Sequence, residues 1–295
     1  MSEIQRVGVV GGGLMGTGIV QVAATAGFHV VCREVSNGQC ERTHAAVRRS
    51  LDKGVEKGKV TSELRDAALG RMQFVTDLAA VAATDLIVEA IVEDLTEKVV
   101  LWKSLDAVAP APTLFASNTS SLSIAAQAAA TTRGDRFVGL HFFNPVPAMP
   151  LVEVVRTVTT SDATHRLAHA FVTRLGKVAI DTRDTPGFVV NRLLVPYMLD
   201  AIRALEQGTG SVRDIDVGMT LGAGHPMGPL ALCDYVGLDT LQRVAESMYR
   251  EYCEPRFAPP PLLRRMVVSG LLGRKNGSGF YRYGGESPEP NSFMG

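Results

Sequence analysis

The stretch RVGVVGGGLMGTGIVQVAATAGFHVVCRE, Arg6 to Glu34, decides the fold. A β-branched run meets the glycines Gly11-x-Gly13-x-x-Gly16, which open a helix-length segment leading into a second β-branched run, HVVCR. In such a strand–turn–helix the first glycine makes the tight turn, the second lets a pyrophosphate approach the backbone, and the third lets helix and strand pack closely. The helix N-terminus offers unpaired N–H groups and the positive end of its dipole to the anion. Glycine-rich turns are common, so the supporting feature is Glu34. It stands at the end of the second strand, about 20 residues on, where a carboxylate binds the adenosine ribose hydroxyls. A carboxylate there repels a 2′-phosphate and favours NAD. Arg33 beside it is a guanidinium able to accept that phosphate, which leaves NADP open.

Working outward, the runs MQFVT, DLIVEA, TLFASN and RFVGLH alternate with helical segments. Strands apolar on both faces and separated by helices indicate a mainly parallel sheet covered on both sides, a doubly wound α/β domain of Rossmann type. Beyond KVAIDT the pattern changes at RDTPGFVVNRLLVPYMLDAIRALEQG, where Val189, Leu193, Val195 and Leu199 read as one helical face with Pro186-Gly187 as its start signal. SVRDIDVGMTLG and LDTLQRVAESMYREY add helices without a further strand series. The expected organisation is a dinucleotide-binding domain over 1–185, an all-α domain over 186–285 and a loose tail over 286–295.

The bulk numbers narrow the function. With 295 residues, 46% hydrophobic, the chain suits two globular domains. Thirty acidic and thirty basic residues leave no broad field for nucleic acid or an anionic membrane, so an anionic ligand must be held by local charges. The four cysteines, Cys32, Cys40, Cys233 and Cys253, show no metal-binding or CxxC spacing and read as free thiols in a reducing compartment, with no metal expected. MSEIQRVGVV enters a strand at once, and no apolar run reaches about 18 residues, so a soluble cytoplasmic protein is expected.

The chemistry is suggested by GLHFFNPVPAMPLVEVV, Gly139 to Val155, which places His141 at the end of one apolar run and Glu153 inside the next. Taken alone, the histidine reads equally as a satisfied core residue and the glutamate as the solvent face of an alternating strand. Together with GGGLMG, VEAIVED, SNTSSL, DTPGFVVNRLLVPYM, LGAGHPMGPLALCDYVGLDT and GRKNGSGFYRY, all in order, the chain resembles the short-chain L-3-hydroxyacyl-CoA dehydrogenase family, especially the bacterial 3-hydroxybutyryl-CoA dehydrogenases. The resemblance runs from about Arg6 to Tyr283.

That resemblance implies NAD-linked interconversion of a 3-hydroxyacyl-CoA and its 3-ketoacyl-CoA, with the helical domain supplying a homodimer contact. It implies a catalytic pair, His141 as general acid/base and Glu153 as its orienting partner, with Ser120 and Asn191 as polar groups on the substrate. Ser120 also reads as an N-cap for the helix beginning near SLSIAAQ. On the cofactor side it implies Gly11, Gly13, Leu14, Met15, Gly16, Glu34, Ala90, Glu93, Lys98, Ser117, Asn118, Asn144 and Lys275. Glu89, Glu93 and Lys98 read as well as an exposed cluster at a helix start. Ser50 and Lys57 match positions near the CoA phosphates, and Lys57 is also an ordinary solvated helix charge. Three alternatives stand beside this: the same chemistry on an acyl-carrier-bound or specialised acyl chain, a dehydrogenase of free β-hydroxyacids, and a non-catalytic NAD-binding scaffold. Gly12 stands where many relatives carry alanine or serine, which loosens the turn.

Overall fold

The computed structural model describes residues 3–291. The chain divides into two compact units, Met1–Phe188 and Val189–Gly295, so the division falls just beyond the 185/186 boundary read from the sequence.

In the first unit the strands β1 (Arg6–Val10), β2 (His29–Arg33), β3 (Met72–Val75), β4 (Leu86–Glu89), β5 (Leu114–Ser117), β6 (Phe137–Phe142), β7 (Leu151–Arg156) and β8 (Val178–Arg183) form one sheet in the order β3-β2-β1-β4-β5-β6-β7-β8. Neighbours run parallel except β6 and β7. The connection between those two, residues 143–150, is too short for the dozen or so residues that a parallel crossover needs. The helices are α1 (Leu14–Thr25), α2 (Asn37–Glu56), α3 (Ser62–Gly70), α4 (Leu78–Ala82), α5 (Leu95–Val108), α6 (Ile124–Ala128) and α7 (Asp162–Arg174).

Period-2 alternation splits the strand residues between two cores. Val7, Val9, Val30 and Cys32 pack with Ile19, Val20, Val47, Leu51 and Phe171 from α1, α2 and α7. Val10, Val31 and Ile87 pack with Val81, Trp102, Leu105 and Ile124 from α4, α5 and α6. Burial on both faces explains why β1 and β4 read as unbroken apolar runs. Trp102 anchors the second core, stacked on Phe115 and edge-on to Phe137, with its indole N–H donating to Gln127 at 2.9 Å.

The second unit contains α8 (Val190–Glu206), α9 (Val212–Val217), α10 (Pro229–Val236), α11 (Leu238–Tyr252) and α12 (Pro261–Val268), closed around its own core. The face expected on α8 is corrected. Val195, Met198, Leu199 and Ile202 are buried, whereas Val189 is exposed and Leu193 is 71% exposed. Leu193 and Val195, two residues apart, point about 200° from each other around a helix and do not share a face.

Two further differences concern the C-terminus. A two-residue hairpin, β9 (Tyr281–Arg282) with β10 (Glu289–Pro290), joins the helices of this unit. The stretch expected to be a loose tail is thereby pinned through 291, where the Asn291 amide donates to Ser278 Oγ and the Gly279 carbonyl. The rest of that stretch, 292–295, lies outside the described residues. Buried Asp234 fastens the same segment by accepting the N–H groups of Phe280 and Tyr281. All four cysteines are free thiols, with Cys253 exposed. No helix among the described residues is long and apolar enough to cross a membrane.

Candidate active site

The site is built at the carboxyl ends of the strands, where open α/β sheets bind ligands at the point of topological reversal. That point lies between β1 and β4, which pair side by side although β2 and β3 come between them in sequence and extend the sheet from the other side of β1. The Gly11 N–H donates to the Arg33 carbonyl at the end of β2, and Gly11 adopts φ +91°, a conformation that glycine reaches without strain.

The glycine-rich turn fits a dinucleotide. A Cβ on Gly13 would meet nothing, so the backbone there is open to a ligand. A Cβ on Gly16 would overlap the Gly11 carbonyl, which makes glycine obligatory for this close packing. Gly13 caps α1 without any side-chain hydrogen bond, and the first turn of α1, with Leu14 and Met15, holds no acidic residue. An anion therefore meets an unobstructed helix N-terminus.

Gly12 does not loosen the turn as expected. Its N–H donates to Glu34 Oε1 at 3.0 Å and its carbonyl accepts from Thr17 Oγ1 at 2.7 Å. A Cβ there would strike Thr43 and Glu34. Thr43 Oγ1 donates to the same Glu34 oxygen at 2.7 Å, so Thr17 and Thr43 form a clamp that the sequence reading missed. Their positions on two different helices gave no local signal. Arg33 sends its Nε to the Thr76 carbonyl, along the end of β3.

A second cluster closes over β4 and β5. Glu89 and Lys98 are fully buried and paired at 2.5 Å, and Ser117 Oγ donates to the other Glu89 oxygen at 2.6 Å. For Glu89 and Lys98 this corrects the picture of an exposed helix-start cluster, whereas Glu93, which shares the Lys98 ammonium, does stay exposed. Glu93 also accepts from Thr119 Oγ1 and from the Ser120 N–H and hydroxyl. Burial pushes the Glu93 carboxyl up, but Lys98 and these donors outweigh it and hold the group below the usual carboxylate range. Ala90, next to Glu89, donates its N–H to the Val10 carbonyl.

Ser120 is not an N-cap. The cap of α6 is Ser123, and Asp184, which the sequence reading did not single out, accepts the N–H groups of Ile124 and Ala125. The hydroxyl of Ser120 is thereby left to Glu93 and to any ligand in the crevice.

His141 and Glu153 are direct cross-strand partners in the antiparallel β6–β7 pair. Opposed residues on neighbouring strands point to the same face, and Nδ1 of His141 lies 2.6 Å from Glu153 Oε2. The histidine is 6% exposed and the glutamate fully buried. An ionised carboxylate can only accept, so this contact places the ring proton on Nδ1 and leaves a lone pair on Nε2. The imidazole packs against the rings of Phe143 and Phe188. Phe188, with φ +48°, is another residue whose part the sequence did not reveal. Asn118 Oδ1 accepts the Phe142 N–H, tying β5 to the strand that carries His141, and exposed Asn144 follows in the turn.

The remaining expected residues lie elsewhere. Ser50 is half-buried on α2, and exposed Lys57 ends that helix two turns on, on the same side. Asn191 occupies the first turn of α8, and Lys275 pairs with Asp239, both within the second unit.

A phosphate-binding turn at the reversal point of a doubly wound sheet makes the first unit a dinucleotide-binding domain. The 3-hydroxyacyl-CoA dehydrogenase NAD-binding domain matches residues 6–185, and the 3-hydroxyacyl-CoA dehydrogenase C-terminal domain matches residues 187–283. The chain belongs to the 3-hydroxyacyl-CoA dehydrogenase family; it is an oxidoreductase and its cofactor is NAD. It is 49% identical to a 3-hydroxybutyryl-CoA dehydrogenase of Mycobacterium tuberculosis over 95% of this chain and 99% of that one. It is 47% identical to the mitochondrial hydroxyacyl-coenzyme A dehydrogenase of Sus scrofa over 95% and 91% of the two chains. The crystal structure of the (S)-3-hydroxybutyryl-CoA dehydrogenase of Ralstonia eutropha superposes with a TM-score of 0.93 at 44% identity, covering 96% of this chain and all of that one.

Proposed function

We propose that the protein interconverts (S)-3-hydroxyacyl-CoA and 3-ketoacyl-CoA, with the short-chain thioester 3-hydroxybutyryl-CoA as its substrate. The observation that carries this reading is the buried 2.6 Å pair of His141 Nδ1 and Glu153 at the ligand-binding edge of a dinucleotide domain. Oxidising C3 of an alcohol removes a hydride and a proton. Bound NAD supplies the hydride acceptor. The proton needs a base on a neighbouring side chain, and neutral imidazole suits both its removal and its return.

In the oxidising direction Nε2 of His141 takes the hydroxyl proton, and in the reducing direction the same nitrogen returns it to the ketone oxygen. Glu153 keeps the ring in the tautomer with Nδ1–H and stabilises the imidazolium as it forms. Ser120, held to Glu93 through its backbone N–H, turns its hydroxyl away from that carboxylate to donate to the reacting oxygen, and buried Lys98 acts through the carboxylates that it holds. Ser117, Asn118, Ala90, Asn144 and Lys275 are assigned to the cofactor. Asn191 and the α2 pair Ser50 and Lys57 are assigned to the acyl-CoA, on the match of residue types. A homodimer in the cytoplasm completes the reading, in keeping with four free thiols.

The test follows reduced-nicotinamide absorbance with acetoacetyl-CoA, using NADH, NADPH, or free acetoacetate in place of the thioester. Oxidation of NADH with the thioester alone is expected. His141→Gln should lose about 10²–10⁴-fold in turnover, the usual contribution of a general base, while still binding NADH. A folded variant with unchanged turnover overturns the role of His141.

A further inference from the structure

A second group of ligating side chains lies on the opposite face of the sheet from His141 and Glu153. His165 and His169 stand one turn apart on α7, and Asp181 rises from the edge strand β8. Both imidazole Nε2 atoms converge on the same carboxylate oxygen of Asp181, at 2.8 Å from His165 and 2.5 Å from His169. The three ligand atoms all lie within 4.8 Å of one another. In the β7–β8 register Glu153 pairs with Ile180 and Val154 with Asp181, so the two sites occupy alternate faces. Nothing in the proposed dehydrogenase chemistry uses this trio.

We propose that His165, His169 and Asp181 form a binding site for a divalent transition-metal ion of the zinc, cobalt or nickel class. Two imidazoles and one carboxylate are a donor set that these ions take, and it is a poor one for magnesium or calcium, which prefer all-oxygen shells. The spacing is that of a helix presenting two histidines at i and i+4 towards one point, and here the third donor arrives from the adjoining strand.

The geometry needs little change. A tetrahedral ion with bonds of about 2.0–2.1 Å holds its ligand atoms about 3.3 Å apart. The two imidazole–carboxylate separations must open by less than about 1 Å, the two imidazole nitrogens lie within 4.8 Å of each other, and the Asp181 side chain, 69% exposed, is free to move outwards. The two histidines are less exposed, at 18% and 30%, so helix packing already orients their rings. Water completes the shell on the solvent side. Both Nε2 atoms must offer lone pairs to the ion, so each neutral ring carries its proton on Nδ1 in the loaded state. The ion would then clip α7 to β8, the unshared edge of the sheet.

The experiment titrates Co²⁺ into tag-free, chelator-stripped full-length protein carrying Cys253→Ser, which removes the exposed thiol as a competing ligand. Visible absorption and calorimetry are read together. The expected result is one equivalent of Co²⁺ bound with a visible ligand-field band, displaced by Zn²⁺, and a melting temperature raised by Zn²⁺. His169→Asn and, separately, Asp181→Asn should raise Kd by more than the ~10–100-fold that losing an outer-shell partner costs. Melting of the metal-free variants near the parent temperature shows that their fold is intact. The proposal is overturned if no saturable single equivalent binds, or if the His165→Asn/His169→Asn double variant binds Co²⁺ as the parent does.

Discussion

Replacing Glu153 with glutamine removes the charge opposite His141. The side chain is fully buried, its volume is conserved, and its oxygen lies 2.6 Å from Nδ1. A hydrogen bond to a charged group contributes about 1.5–3 kcal/mol, and that interaction strengthens as the imidazolium forms. At about 1.4 kcal/mol per decade, its loss lowers kcat by about 10–150-fold. The amide can also turn its NH₂ towards Nδ1, which would move the ring proton to Nε2 and block the base. The corresponding change in the serine-protease triad costs about 10⁴-fold, which sets the upper bound. Stopped-flow or steady-state NADH oxidation with acetoacetyl-CoA measures kcat, and quenching of Trp or NADH fluorescence measures cofactor binding. The expected pattern is a kcat reduced by at least about tenfold with NADH affinity unchanged. A folded Glu153→Gln protein whose kcat stays within about twofold of the parent would refute the orienting role.

Other outcomes follow from the same geometry. Glu34→Gln keeps a hydrogen-bond acceptor for Gly12 but loses the charge that faces the ribose, so NADH should bind about tenfold or more weakly and the NADH-over-NADPH preference should narrow; equal ratios before and after, read from kcat/KM with each cofactor, would count against Glu34 as the discriminator. Asp106 should contribute to acid sensitivity. Burial alone raises its carboxyl, but the Thr132 N–H and the Arg133 guanidinium at 2.6 Å prevail and hold it below the ordinary range. A depressed folded pKa contributes stability that is complete above the unfolded value of about 3.9 and is lost as pH falls from there through the folded value. Urea midpoints should therefore separate the parent from Asp106→Asn at pH 7, by about 1–3 kcal/mol, and the gap should narrow as pH falls below about 4; a gap independent of pH would show that the charge is not responsible. Light scattering should give twice 31.5 kDa, and a monomer at micromolar concentration would exclude the homodimer.

Much of the fold was legible because the first unit obeys local rules. Unbroken apolar runs such as LIVE mark strands buried on both faces, and the glycine spacing marks a turn that tolerates no Cβ at Gly16. The face of α8 was misread because several apolar residues, Leu193 among them, stay exposed, and hydrophobicity alone does not say which stripe is covered. The tail was misread because ESPEPNSFMG has a disordered composition, yet a two-residue pairing and one buried asparagine hold its first part.

What the sequence determined by itself was the kind of chemistry available: a dinucleotide turn, an acid for the ribose, one histidine and one glutamate between apolar runs. Only the tertiary structure decided which groups meet. His141 touches Glu153 because the short loop between β6 and β7 turns the chain back antiparallel in a register that sets residues 141 and 153 opposite each other. A slip of one residue would send one of them to the far face of the sheet. Likewise Thr43 reaches Gly12 from 31 residues away, and Asp184 caps α6 from 60 residues away. Such contacts carry no local periodicity; they exist because long-range packing fixes the distance between elements that the sequence specifies one at a time.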